Sequence, residues 1–137
     1  MTPADAFLYE YAVVRYVPRV DREEFVNIGL VMMCKRRKWL KSRIYIDEEK
    51  LRVLNPACVI DRLRKQSSYF MRDDVPSKDI PVEERYRWLT AVKSAVLQVS
   101  PSHPGLLAIE EDREIDAQTA VSMLEAEFER LFASLVL

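Results

Sequence analysis

The sequence predicts an α+β fold, with an antiparallel sheet of about four strands and helices packed mainly on one of its faces. Two observations carry this prediction. Residues 8–46 contain three runs of apolar, aromatic or β-branched residues joined by short polar links, as in a three-strand meander. From Asp47 onward apolar residues recur at helical spacing, and one β-branched segment, 95–100, interrupts them as a later strand. The 137 residues have the length of a single domain, 1–137, that can bury a core without disulfides.

The three N-terminal strands are predicted from their composition. Residues 8–17 are rich in Tyr and Val, and residues 25–34 form a near-continuous apolar run that is typical of a central strand covered on both faces. Gly29 lies inside that run and indicates a bulge or the close approach of another group, because glycine weakens a regular strand. A polar turn at 35–38 leads into the third strand, 39–46. Such short links predict antiparallel pairing.

Capping residues and prolines mark the predicted helices. Asp47 is placed to cap the first helix, and Pro56 ends that helix and opens the second. Pro81 opens the third helix, with acidic residues in its first turn, and Asp116 caps the last. Residues 101–105, rich in proline, predict a rigid loop after the fourth strand.

The apolar stripes of these helices define the predicted core. They are Val59, Leu63, Gln66 and Phe70 in the second helix, Val82, Tyr86, Leu89 and Val92 in the third, and Val121, Leu124, Phe128, Leu131 and Leu135 in the last. Stripes at this spacing line one face of a helix, which is the face that packs on the sheet.

Charge is unevenly distributed along the chain. Residues 15–65 contain 14 Lys and Arg against 7 Asp and Glu, whereas residues 66–137 contain 7 against 13. We therefore expect the two halves to attract each other, within the fold or across a homodimer.

The composition excludes several chemistries. With one histidine, His103, and two isolated cysteines, a metal site built from several such ligands is not available. Two glycines cannot form a glycine-rich phosphate loop or a dinucleotide fingerprint. We therefore expect no metal and no cofactor. Carboxylate-pair chemistry stays open at Glu23, Glu24, Asp73 and Asp74, although adjacent acidic residues more often lie in solvated loops.

The sequence also indicates a compartment. No apolar run approaches the roughly 20 residues needed to span a bilayer, and the first residues lack the basic and apolar parts of a signal peptide. Cys34 and Cys58 lie far apart in apolar contexts, as small core residues do in a reducing compartment. We expect a cytoplasmic protein that does not contact a membrane.

The first candidate site consists of Arg15, Glu24 and Asn27, which are polar residues inside or beside apolar strands. A functional interpretation is an anion- or carboxamide-binding site in which Arg15 supplies a forked donor. The alternative is a structural network in which Glu24 pairs with Arg15 and Asn27 holds a bulge at Gly29. The residue types alone favour the structural network.

The second candidate site comprises Gln98, Ser100 and His103, at the end of the fourth strand. A strand that runs into a proline-fixed loop carrying a histidine is a plausible place for a binding site. Turn chemistry explains the same residues equally well, with His103 exposed.

A basic cluster follows the second strand. Its members are Lys35, Arg36, Arg37, Lys38, Lys41 and Arg43. With Trp39 and Tyr45 interleaved, the cluster could contact phosphates and stack on a single strand of nucleic acid. The structural alternative is a solvated turn and an edge strand protected from aggregation by charge. The net charge of −1 favours this alternative, so nucleic acid is not an expected partner.

Two sequence blocks resemble a known family. They read Tyr11-x-x-Val-Arg15-Tyr-x-Pro18 with Glu24-Phe-Val-Asn27-Ile-Gly29, and Arg85-Tyr-x-Trp-Leu89 with Ser94, Gln98, Ser100-Pro and His103-Pro-Gly105. The blocks resemble the bacterial domain-of-unknown-function family 3037 (DUF3037). The resemblance implies a small bacterial protein with no established activity, of a kind often encoded beside HipA-like kinases. It also implies that the polar residues of both blocks gather in one candidate ligand-binding cluster. These residues are Arg15, Glu24, Asn27, Arg85, Gln98, Ser100 and His103.

Two functions are compatible with these observations. The absence of catalytic signatures and the split charge favour a non-enzymatic binding or accessory module, whose partner is a protein such as a HipA-like kinase or a second copy of the chain. The alternative is a small enzyme or a nucleotide- or phosphate-binding domain that uses Arg15, Glu24, Asn27 and His103. The residues do not decide whether the protein is an enzyme.

Overall fold

The computed structural model describes residues 6–19, 24–58, 60–71, 79–91, 96–108 and 116–137. The strands are β1 (Ala6–Arg19), β2 (Glu24–Cys34), β3 (Trp39–Ile44), β4 (Leu97–Val99) and β5 (His103–Ala108). The helices are α1 (Glu48–Leu54), α2 (Ile60–Ser67), α3 (Val82–Thr90) and α4 (Ala117–Leu135), and a 3-10 turn, Ser68–Met71, extends α2. The fold is α+β, as predicted.

The sheet is antiparallel, and β1 lies between β2 and the two C-terminal strands. Strands β3, β2 and β1 form the predicted meander, in that spatial order. On the other side of β1, β4 pairs with Val14–Tyr16 and β5 pairs with Ala6–Tyr11. Strands β4 and β5 are therefore two parts of one edge strand.

The structure corrects the predicted loop at 101–105. His103, Pro104 and Gly105 belong to β5 and pair with β1. Proline and glycine disfavour a central strand, but a proline is tolerated in an edge strand where its missing N–H faces away from the partner. Ser100, Pro101 and Ser102 lie between the two parts of the edge strand.

Gly29 marks both a bulge and a close approach. Val14 pairs with Gly29, but Arg15 pairs with Asn27, so Ile28 is an extra residue in β2. A Cβ atom on Gly29 would lie 2.8 Å from the carbonyl oxygen of Arg43 in β3, closer than real side chains come. Glycine is therefore required there.

Three of the four predicted helix starts are confirmed; the second helix begins at Ile60 and not at Pro56, which lies in a turn. The carboxylate of Asp47 accepts a hydrogen bond from the backbone N–H of Lys50, and that of Asp116 accepts one from Thr119 at 2.7 Å. Helix α3 begins directly after Pro81.

Helices cover both faces of the sheet. Helices α1, α2 and α3 pack on the face that carries Val14 and Tyr16 of β1, with Leu51, Leu63, Phe70, Tyr86 and Leu89 as their buried residues. Helix α4 packs on the opposite face, with Leu124, Phe128 and Phe132 against residues such as Leu30, Met32 and Trp39. Because β2 contributes to both cores, its sequence is apolar almost throughout.

Two predicted helical stripes are confirmed except at single positions. In α2, Leu63 is buried as predicted, but Gln66 is exposed and its neighbour Ser67 is buried. In α4, Val121 is 37 % exposed and its neighbour Ala120 is buried. Val59, Val92 and the acidic residues Glu23, Asp73 and Asp74 lie outside the described residues.

Among the described residues no helix has the length and apolar character required to cross a membrane.

Candidate functional site

Three of the candidate residues lie side by side across the sheet. Arg15 in β1 is directly opposite Asn27 in β2 and Gln98 in β4. Directly opposed residues share a face of the sheet. Their face is the one that α4 covers, because Val14 and Tyr16, on either side of Arg15, point into the core beneath α1–α3. We call Asn27, Arg15 and Gln98 the polar row.

The guanidinium group of Arg15 is held by an aromatic ring. Its central carbon lies 4.2 Å from the centre of the Phe25 ring, and Phe25 is 48 % exposed. The Nε atom of Arg15 is buried and has no hydrogen-bond partner among the described residues. Since a guanidinium group carries five donors in a fixed fork, Arg15 can still bind a carboxylate or phosphate.

Asn27 joins the polar row to the end of α4. Its Nδ2 atom donates a hydrogen bond to the carbonyl oxygen of Leu135 at 2.9 Å. Its Oδ1 atom is buried and has no hydrogen-bond partner in the described part of the chain. Asn27 therefore has a structural role at the bulge and one buried acceptor without a partner among the described residues.

Ser100 is committed to the backbone. Its N–H donates to the carbonyl oxygen of Val13 at 2.8 Å, and its Oγ accepts from the N–H of Val13 at 2.9 Å. The same hydroxyl donates to the carbonyl oxygen of Pro101 at 2.9 Å, and the residue is 5 % exposed. Ser100 thus completes the sheet between β4 and β5, and its hydroxyl is not available to a ligand.

His103 lies on the same face of the sheet but away from Arg15. Its exposed ring is 5.3 Å from the ring of Tyr11, its partner in β1, measured between centres. Tyr11 precedes Arg15 by four residues, which is about 14 Å along a strand. One small ligand group therefore cannot contact both Arg15 and His103.

Arg85 and Glu24 are also separate from the polar row. Arg85 belongs to α3, which packs on the opposite face of the sheet through Tyr86 and Leu89. Glu24 begins β2 opposite Arg19, three residues before Asn27, and the alternation of side chains along the strand places it on the other face from Phe25. The structure gathers Arg15, Asn27 and Gln98, and it does not gather the seven candidate residues into one cluster.

Two of the six residues of the basic cluster, Lys41 and Arg43, pair with acidic residues of α4. Lys41 pairs with Glu125, and Arg43 forms two hydrogen bonds with Glu129, at 2.9 and 2.6 Å. Trp39 is 8 % exposed and donates to Glu125, so it cannot stack on a nucleic acid base. The basic and acidic halves of the sequence therefore meet within the fold, which is one of the two arrangements predicted.

A polar cleft lies on the other face of the sheet, which α3 covers. It has a volume of about 370 Å³ and is lined by Glu10, Lys35, Arg87, Tyr86 and Ser102 among others. The hydroxyl groups of Tyr86 and Ser102 lie 2.7 Å apart, and burial raises the pKa of Tyr86 to about 12. Tyr86 is therefore protonated at neutral pH and cannot act there as a base.

Sequence reasoning missed Phe25 as part of the site. Phe25 and Asn27 are two residues apart in a strand, and this spacing places them on one face. The signal was hidden because Phe25 opens a continuous apolar run that indicates a core strand.

Comparison with known proteins gives one match. The model of the family described as "Protein of unknown function (DUF3037)" matches residues 11–136 of the chain, which include both motif blocks. No curated protein and no solved structure matches the chain.

Proposed function

Since the chain belongs to the DUF3037 family, whose function is unknown, we propose a function from its own geometry: it is a non-enzymatic binding module that receives an acidic group of a partner protein at the polar row.

The environment of the Arg15 guanidinium group is the observation on which this proposal rests. This group is stacked on Phe25, and its buried Nε has no partner among the described residues. Stacking fixes the guanidinium plane before binding, so less side-chain freedom is lost when a carboxylate is bound. A carboxylate that forms two hydrogen bonds with Arg15, one of them with Nε, would give this atom a hydrogen-bond partner.

The neighbours of Arg15 favour a protein ligand. Asn27 offers a buried Oδ1 acceptor directly beside Arg15, and Gln98 brings a second carboxamide. A peptide segment supplies both groups that this row can bind, because an acidic side chain is accompanied by backbone N–H donors. The exposed Phe25 ring adds apolar contact area of the kind found in protein interfaces.

The alternative is a small enzyme or a phosphate-binding domain that uses Arg15, Glu24, Asn27 and His103. Arg15 alone supports it, because His103 lies about 14 Å along the strand from Arg15. No proton-transferring histidine is therefore within reach of a group held by Arg15. The distance favours binding over catalysis.

The family resemblance suggests a HipA-like kinase as the first partner to test. The experiment is a pull-down of the tagged protein at native expression level, with Arg15→Met and Arg52→Met in parallel. Arg52 is an exposed arginine of α1, 3.7 Å from Glu48, on the other side of the sheet. Arg52→Met is therefore a matched control for the loss of one arginine.

We expect a stoichiometric partner with the wild type and Arg52→Met, and loss of that partner with Arg15→Met at unchanged thermal midpoint. Equal capture of the partner by all three proteins would show that the polar row is not part of the interface. A thermal-shift screen with nucleotides and inorganic phosphate tests the alternative on the same proteins. Stabilisation of the wild type that Arg15→Met abolishes would favour a phosphate-binding domain.

A further inference from the structure

We propose that two copies of this chain associate through β5, which pairs antiparallel with β5 of the second copy and joins the two sheets into one. The proposal does not depend on the polar row. Among the described residues, no strand pairs with β5 on the side away from β1.

Hydrogen bonding at Val13 fixes the direction of the backbone groups in β5. Both backbone groups of Val13 bind Ser100 of the edge strand: the C=O accepts from the N–H of Ser100, and the N–H donates to its Oγ. Backbone groups alternate in direction along a strand, so the odd-numbered residues of β1 face this edge. Among them are Tyr11 and Tyr9, which pair with His103 and Gly105.

The remaining residues of β5 present their backbone groups outward. Pro104 and Leu106 pair with Glu10 and Leu8, which face β2 instead. The position of Pro104 agrees with this register, because a proline has no N–H to offer β1. The N–H and C=O of Leu106 are therefore directed away from the sheet, where another strand can bind them.

The side chains at this edge are apolar. Leu106 is 49 % exposed, and Leu8, directly opposite in β1, is 55 % exposed. A second copy of β5 related by a two-fold axis near Leu106 would bring the two leucine pairs together and bury them.

The lack of charged residues in β5 favours a second copy of the chain as the partner. Near the axis of a two-fold pair each residue lies close to its own counterpart, so a charged residue would meet a like charge. Strand β5 contains no Asp, Glu, Lys or Arg. The opposite edge, β3, carries Lys41 and Arg43, both in ion pairs with α4, as a protected edge does.

The test is the mass of the full chain in solution, measured by light scattering over a dilution series. We expect twice the chain mass of 16.0 kDa at high concentration, and dissociation on dilution. Leu106→Asp should give the mass of one chain at every concentration, because it places two carboxylates at the axis. Val53→Asp, on a side chain of α1 that is 86 % exposed, should leave the dimer intact. A wild type of single-chain mass throughout, or a Leu106→Asp dimer, would overturn the proposal.

Hydrogen exchange tests the interface without a substitution. The amide of Leu106 should be protected in the concentrated protein and exchange rapidly on dilution, while the amides of Gly105 and Leu107, bonded to β1, stay protected in both. Rapid exchange at Leu106 in a sample of dimeric mass would place the interface elsewhere. The result of the pull-down with Arg15→Met does not depend on this dimer, because the polar row lies on β1, β2 and β4 and not on β5.

Discussion

The side-chain amide of Asn27 donates a hydrogen bond to the main-chain carbonyl oxygen of Leu135, 2.9 Å away and 108 residues later in the chain. The bulge in β2 is thereby tied to the last turn of α4, where carbonyl groups have no partner within the helix. The same residue belongs to the polar row, the proposed binding site, so in that proposal one side chain serves both stability and binding.

Asn27→Ala should lower the free energy of unfolding by about 1–3 kcal/mol, because the carbonyl oxygen of Leu135 loses its partner. Chemical denaturation measures this loss. Gln118→Ala, at an exposed position in the first turn of α4, serves as the control and should change stability little. If both variants unfold at the wild-type denaturant concentration, Asn27 does not hold the helix.

Ser100→Ala should lower the free energy of unfolding by about 1–3 kcal/mol, because the N–H of Val13 is left without an acceptor in a buried place. The variant should retain any partner that the wild type captures, since the hydroxyl of Ser100 is bonded to Val13 and Pro101. Loss of the partner at unchanged stability would instead make Ser100 a ligand residue. Ser122→Ala, on the exposed side of α4, is the matched control.

Gly105→Ala should destabilise the protein by about 1–3 kcal/mol, as overpacking of a full site does. A Cβ atom at this position would overlap the ring of Tyr9, which is 5 % exposed and whose hydroxyl donates to Glu127. In a Tyr9→Leu background the same substitution should have a smaller effect, because the ring is gone. Equal effects in both backgrounds, measured by denaturation, would show that the ring is not the obstacle.

Acid should weaken the attachment of α4 to β3. The hydrogen bonds from Arg43 hold the pKa of Glu129 below its ordinary value of 4.5. A carboxyl group whose pKa is lower in the folded state stabilises the fold fully above its ordinary pKa, and this contribution disappears as the pH falls through the lowered value. Glu129→Gln should therefore reduce the loss of stability below pH 4.5, measured as unfolding free energy against pH. Parallel profiles for the two proteins would exclude this contribution.

Local signals in the sequence predicted strands β1 to β4, the caps and the bulge. Asp47 and Asp116 bind the backbone of their own helices, and Gly29 meets its neighbours within the meander. Such features depend on residues close in the chain, so pattern and propensity identify them.

The pairing of strands that are distant in the chain could not be predicted from the sequence. The sequence offered Arg15, Asn27 and Gln98 as candidates, but their alignment depends on the register between β4 and β1. The segment Pro104–Gly105 has the composition of a turn, and only its place at the edge of the sheet allows it to be a strand. Arg85 belongs to the same motif block as Gln98, yet the sheet separates them, because a helix and its neighbouring strand can lie in different layers.

The pairing of Ala6 with Ala108 has a consequence for the order in which the protein folds. Contacts between residues so distant in the chain require the closure of a long loop, which slows folding. During synthesis β1, β2 and β3 emerge early, whereas β5 and α4 emerge much later. One side of β1 must therefore remain unpaired until β4 and β5 have been synthesised, and the face that α4 covers must remain open to other chains until α4 has been synthesised.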